Sequence, residues 1–434
     1  MRTKLFVGKT GERYSILLSD EGIPLEHPNL FITTIYRNDG QAASSCQKAL
    51  EHVSFFLEVC NGLEIDIEVR IAKAEFLTHE EIQKIVYFAG ITREATKAKL
   101  KATNKNVVKL KVAKPRMLET ARYSIVAEKK EDRVHWQTKY NRIGVFARYV
   151  CWLEKYHHPY AETKTEFYFN ELRPQKNEGP TYGEMLEAAT HKSLTADERV
   201  IFLDRIRPDY SDNPWGDESI KVRNYAMCMF MWALGVRLGE CLNVKLQDLV
   251  MRKGKRYVVI RRNADDVNDS RVNQPKVKTN GRSLALSPKL QKILDDYIYE
   301  HRANLQNVAT NEFLFVSHRA RKGKLNPLSI SAAEKIFAQL SETLGFHVHP
   351  HRLRHTWNDR FSEAMDKAIA AGSTNEEKSE ADRCQLMGWQ QGSSMSRVYA
   401  SRHNSKRAMM FALKMQDADF AIKENIESDE DLPF

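Results

Sequence analysis

The stretch His349-Pro-His-Arg-Leu-Arg-His-Thr356 is the most informative in the chain. His351 and Arg354 stand three residues apart, so on a helix they share a face. A forked guanidinium beside an imidazole suits the two non-bridging oxygens of a phosphodiester. The four histidines between His347 and His355 also raise the question of a metal. H-x-H-x-x-x-H without acidic or cysteine partners fits zinc-binding patterns poorly, so no metal is expected here.

Two further stretches flank this one. Upstream lies Ala233-Leu-Gly-Val-Arg-Leu-Gly-Glu-Cys-Leu-Asn-Val-Lys-Leu-Gln-Asp248. There an apolar helix stops at Gly235, a residue suited to the left-handed conformation at a helix end. Arg237 follows in the turn, and Glu240, one turn on, is placed to orient its guanidinium. Downstream lies Leu386-Met-Gly-Trp-Gln-Gln-Gly-Ser-Ser-Met-Ser-Arg-Val-Tyr399. Gly388 and Trp389 close one helix, a polar turn follows, and a short helix presents Tyr399. Taken singly, Arg237 reads as a surface arginine and Tyr399 as a packing residue.

In order and spacing together, the three stretches resemble the tyrosine recombinase (phage integrase) family. Its first box, G-x-R-x-x-E, is matched by Gly235, Arg237 and Glu240; its second, H-x-L-R-H-T, by residues 351–356 letter for letter. The third, L-x-G-H/W followed about ten residues later by tyrosine, is matched by Leu386, Gly388, Trp389 and Tyr399. The resemblance covers residues 194–413. It implies that Tyr399 is the nucleophile, that Arg237 and Arg354 bind the scissile phosphate, and that His351 helps to move the phenol proton. Trp389 would stand where the family most often has histidine. The family also uses a lysine in a β-hairpin turn as general acid. Here the turn is Gln274-Pro-Lys-Val-Lys-Thr-Asn-Gly281, where Lys278 fits the pattern Lys-Thr-x-x-Arg and Lys276 is the alternative. The segment 263–273, with three aspartates, is longer than a tight hairpin turn of the family.

The implied chemistry needs neither metal nor ATP, and no cofactor is expected. A phenol of pKa near 10 is a weak nucleophile at neutral pH. Arginines that neutralise charge at the pentacoordinate phosphorus, and a positioned acid for the leaving oxygen, supply the catalysis. The 3′-phosphotyrosyl bond conserves the energy needed for rejoining. No G-x-x-x-x-G-K-[ST] phosphate loop is present. The expected function is thus a site-specific recombinase or integrase of a mobile element, working through a Holliday junction. A type IB topoisomerase-like enzyme and a catalytically inactive DNA-binding relative are the alternatives.

Composition fits that reading without requiring it. The 434 residues suit two or three domains, and 42% hydrophobic with 29% charged residues is a globular balance. A net charge of +10 favours polyanions such as nucleic acid. The six scattered cysteines form no C-x-x-C pair and read as free thiols in a reducing compartment. The N-terminal sequence lacks the pattern of a secretory signal, so a cytoplasmic, DNA-associated protein is expected.

The expected fold is mainly α with a small antiparallel sheet in a C-terminal catalytic domain, preceded by a helical core-binding domain. Residues 1–35 read as a short β-like appendage, 36–170 as the helical DNA-binding domain and 171–192 as a linker. Residues 193–423 form the catalytic domain and 424–434 an acidic tail. Amphipathic stripes predict helices from about Ala42 and over 134–155, Thr78-His-Glu-Glu81 is a capping box, and Leu194-Thr-Ala-Asp-Glu198 opens a further helix. Strands are expected at 255–262, 282–286 and 312–316, and Ser331-x-x-Glu334 is expected to cap a helix. Between the first helices the run 93–116 is strongly basic. Lys97, Lys99, Lys101, Lys105, Lys109, Lys111 and Lys114 are its candidate DNA-backbone contacts. The apolar segment 408–422, including Ala408, Met409, Phe411, Ala412 and Leu413, is either a helix passed to a neighbouring subunit of a tetramer, as the family implies, or one folded back in cis.

Overall fold

A computed structural model describes residues 1–105, 132–174, 192–262, 265–320, 323–392, 412, 413 and 415. It divides into two compact units, Met1–Thr181 and Tyr182–Phe434.

The first unit begins with an antiparallel hairpin, β1 (Arg2–Val7) and β2 (Arg13–Leu18). Helices α1 (Glu26–Phe31), α2 (Ala43–Gly62), α3 (Ile67–Ala72), α4 (His79–Ala89), α5 (Arg93–Lys105), α6 (Trp136–His157) and α7 (Thr165–Glu171) follow. The apolar stripes of α2 and α6 meet through Phe56, Phe146, Tyr149 and Val150, all fully buried. The expected capping box forms: Thr78 Oγ1 accepts the Glu81 amide and Glu81 Oε2 accepts the Thr78 amide. The hairpin is no appendage. Leu17 of β2 is fully buried in the same core as Phe31 and Phe56, because the second strand lies against α2.

The second unit contains α8 (Ala196–Arg205), α9 (Glu218–Leu234), α10 (Leu238–Asn243), α11 (Pro288–Asp295), α12 (Ile330–Leu344), α13 (Pro350–Ala370) and α14 (Glu376–Met387). A three-stranded antiparallel sheet, β3 (Leu249–Arg252), β4 (Lys255–Ile260) and β5 (Arg282–Ala285), lies between α10 and α11 in the chain. The α9 helix is apolar nearly all round, which its burial explains: Met227, Phe230 and Met231 are fully enclosed.

Three local expectations are corrected. Residues 312–316 form no strand, only isolated bridges from Phe313 to Lys245 and from Val316 to Pro327, so the apolar run is buried core without a ladder. Ser329, not Ser331, caps α12, its Oγ accepting the Ala332 amide at 3.1 Å. Strand β3 was not expected. It is joined to β4 by Lys253 and Gly254, both at positive φ (46° and 71°), the two-residue turn that suits a twisted hairpin. Among the described residues no helix is long and apolar enough to cross a membrane.

Candidate active site

Three segments distant in sequence meet in the second unit around one carboxylate, and a fourth, the end of α14, is bound to two of them. Glu240, in the first turn of α10, is only 1% exposed. Its Oε2 accepts the Arg237 amide at 3.0 Å and Arg282 Nη2 at 2.8 Å. Its Oε1 accepts the Thr279 hydroxyl and lies 3.5 Å from Arg237 Nη1. Arg354 Nη1 stands 3.9 Å from Oε2. Burial pushes the Glu240 pKa upward, but the hydrogen bond and charge of Arg282, the charge of Arg354 and the Thr279 hydroxyl outweigh it. The carboxyl is therefore held below its ordinary range and stays ionised.

Arg237 is the residue before α10, in extended backbone, so its side chain leaves the turn between two packed helices as expected. Its Nη1 is buried and makes no hydrogen bond. Arg354 lies in the first turns of α13 and is 1% exposed. It donates to Gly235 O at 2.7 Å and Met387 O at 3.3 Å, joining the end of α9 to the end of α14. Gly235 takes φ 63° at that end, and a Cβ there would meet the Trp357 ring at 2.7 Å. Glycine is thus required both by conformation and by contact.

His351 is exposed, one turn before Arg354, and its ring meets the His355 ring edge-on at 4.4 Å. Desolvation first, then the charges of Arg354 and Arg237, lower its pKa, so the imidazole is neutral at neutral pH and open to a proton. His349 instead caps α13, its Nδ1 accepting the Arg352 amide at 3.3 Å. Among the described residues no group of His, Cys, Asp or Glu is arranged to hold a metal ion. Trp389 follows Gly388, which ends α14 at φ 67°, and its ring lies 5.4 Å from the Arg354 guanidinium carbon.

The lysine candidates lie on the connection between β4 and β5. Val277 and Thr279 are buried and Lys278 between them is exposed, the alternation of an extended chain. Lys276 is half-buried, and its carbonyl lies 2.3 Å from where a Cβ on Gly239 would stand, so α10 is packed directly on the loop backbone. The aspartates of this long connection have structural partners. Asp266 pairs with Lys245 at 2.8 Å and Asp269 with Arg271 at 2.8 Å. Arg271 also donates to Leu242 O and Leu328 O, so the connection is fastened to the core.

Thr279 and Arg282 were not among the expected site residues. Their signal was present in the spacing Lys-Thr-x-x-Arg, which served only to locate the lysine. Tyr399 lies outside the described residues.

In the first unit, Lys97 and Lys101 are exposed on α5, four residues apart. Lys99 is half-buried, its ammonium 5.0 Å from the centre of the Tyr87 ring and bonded to the Tyr87 hydroxyl. The side chain of Lys105, and Lys109, Lys111 and Lys114 altogether, lie outside the described residues. So do Ala408, Met409, Phe411 and the tail 424–434; Ala412 and Leu413 are described, in helix and exposed.

Residues 193–370 match the model of the phage integrase family. Tyrosine recombinase XerS of Streptococcus agalactiae serotype III (strain NEM316) is 27% identical over 217 residues, 48% of this chain and 56% of the relative. XerS of Streptococcus thermophilus (strain CNRZ 1066) is 28% identical over 210 residues, 47% and 54% of the two chains. The chain spans about half the length of the curated relatives it matches. Among solved structures, XerH site-specific recombinase bound to palindromic difH substrate aligns with a TM-score of 0.47 and 16% identity, over 86% of this chain and 89% of that one. The Tn1549 transposon integrase in complex with transposon right end DNA aligns with a TM-score of 0.39 and 15% identity, over 70% and 96%. The likeness to the tyrosine recombinases, the phage integrase family, thus falls on residues 193–370, within the second unit.

Proposed function

We propose that the protein is a site-specific DNA recombinase that breaks and rejoins strands through a 3′-phosphotyrosyl intermediate on Tyr399. The observation that carries this reading is the convergence on Glu240 of the Arg237 turn, the Lys278 loop and Arg354, with the Gly388–Trp389 helix end tied to them through Arg282 and Arg354.

In this reading Arg237 and Arg354 engage the non-bridging oxygens of the scissile phosphate and neutralise charge as it develops. Neutral His351 accepts the proton of the Tyr399 phenol. Lys278 gives a proton to the departing 5′ oxygen, and Trp389 packs against the phosphate. Exposure favours Lys278 over Lys276, whose backbone is committed to packing. In the first unit Lys97 and Lys101, with the rest of the basic run, track the DNA backbone. Exchange between two sites calls for a synaptic tetramer, formed through the segment 408–422, and for a Holliday-junction intermediate. A mobile element acting in the cytoplasm, by integration, excision or transposition, is the context that fits.

The test is incubation with a nicked suicide duplex in EDTA, read on a denaturing gel. A covalent protein–DNA adduct is expected with the wild-type chain and none with Tyr399→Phe. An adduct that persists in that variant, or that forms only with Mg²⁺, would overturn the reading.

A further inference from the structure

Arg282 opens β5, at the end of the connection that carries Lys278, and its guanidinium binds three separate segments. Nη2 donates to Glu240 Oε2 at 2.8 Å, beside Arg237. Nη1 donates to Thr279 Oγ1 at 3.1 Å, the residue after Lys278. Nε donates to Leu386 O at 2.6 Å, in the last turn of α14 ahead of Trp389. The Thr279 hydroxyl continues to Glu240, and the Asn280 amide donates to Gly388 O at 3.1 Å. A Cβ on Gly388 would stand 2.8 Å from Asn280 O, so the loop and the helix end touch backbone to backbone. The Arg282 side chain is only 5% exposed. It is therefore built into the protein and not offered to a ligand.

We propose that Arg282 is a positioning residue that sets the register of Lys278 and ties it to the segment leading to Tyr399. The loop has little regular structure of its own, and extended backbone lets a lysine wander unless its neighbours are fixed. Here Val277 is fixed by burial, and Thr279 by Arg282 and Glu240. The inference rests on the strand-transfer reading with Lys278 as proton donor. In that step the Tyr399 oxygen bonds to phosphorus and the bond from phosphorus to the 5′ oxygen breaks. The phenol proton passes to His351, and a proton of the Lys278 ammonium passes to the leaving oxygen. A sulfur in place of that oxygen leaves as a thiolate, for which no proton donor is needed.

Single-turnover cleavage of a suicide duplex is therefore compared with that of its 5′-bridging phosphorothiolate counterpart. Lys278→Ala and Arg282→Ala are each expected to slow cleavage of the oxygen substrate by about 10²-fold or more. Both are expected to return to within about 10-fold of wild type on the sulfur substrate. Arg354→Ala should stay slow on both, because phosphate stabilisation is needed for either leaving atom. Thr279→Val, nearly isosteric, removes one hydroxyl and is expected to show the same rescue at smaller amplitude; it decides the matter if Arg282→Ala does not fold. Arg282→Ala and Thr279→Val variants that fold and are equally slow on both substrates, or that cleave ordinary DNA at the wild-type rate, would overturn the role of Arg282. If Lys278→Ala is not rescued, the proton-donor assignment falls and the Arg282 proposal with it. No adduct from the wild-type chain on either substrate would instead sink the strand-transfer reading.

Discussion

Glu240 is a single carboxylate set among the guanidinium groups of Arg237, Arg282 and Arg354. Its burial makes it costly to remove, because the guanidinium groups packed on it lose their counter-charge. Glu240→Gln is expected to lower unfolding stability by about 3–5 kcal/mol, read from denaturant titration of the second unit. An unchanged midpoint would mean that the arginines hold one another's segments without it. His351 carries a prediction in pH. Its folded pKa is lowered, so the neutral, proton-accepting form survives as pH falls through the ordinary imidazole value of about 6.5. The acid limb of single-turnover cleavage is accordingly expected below that value, and His351→Gln should slow the plateau by about 10²-fold. A limb at or above pH 6.5 would contradict the assignment.

At the scale of elements, the site is made where helix ends and one loop meet, not on the sheet itself. The ends of α9 and α14 expose carbonyls that a helix leaves without partners, and Arg354 satisfies one on each. Helix α5 shows how an element sorts a charged run. Lys97 and Lys101 face solvent, Lys99 lies over Tyr87, and Arg93 turns inward to Glu58 at 2.8 Å. If the two exposed lysines each neutralise a phosphate, the joint variant Lys97→Ala/Lys101→Ala flattens the salt dependence of DNA binding. The expected loss is about 0.9 per contact in the slope of log K against log salt, close to 2 in total. An unaltered slope would remove α5 from the DNA contact surface.

At the scale of the molecule there are two units, each with its own apolar core. Phe56 is fully buried at the centre of the first. Phe56→Ala is expected to cost about 3–5 kcal/mol there and to leave the second unit's unfolding unshifted. Calorimetry would show one transition moving and the other staying. Equal movement of both would mean a single cooperative body. The same division accounts for where the family likeness falls: the phage integrase match, residues 193–370, lies wholly within the second unit.

Much of this was readable from residue order. Apolar spacing marked α2 and α6, a continuous apolar run marked α9, short polar starts marked α4 and α8, and the boxes around Gly235, His351 and Gly388 carried the resemblance to the phage integrase family. These signals are local: a helix face, a capping pair or a short motif is written within a few residues. The work of Arg282 and Thr279 was not readable. Thr279 meets Glu240 across 39 residues and Arg282 meets Leu386 across 104. Periodicity reports which side of an element is buried, but it holds no record of which distant donor satisfies a buried acceptor. Tertiary packing alone decided that Lys278 stands exposed while Lys276 lies half-buried with its backbone against α10, and that Glu240 and Arg282 between them join the four segments.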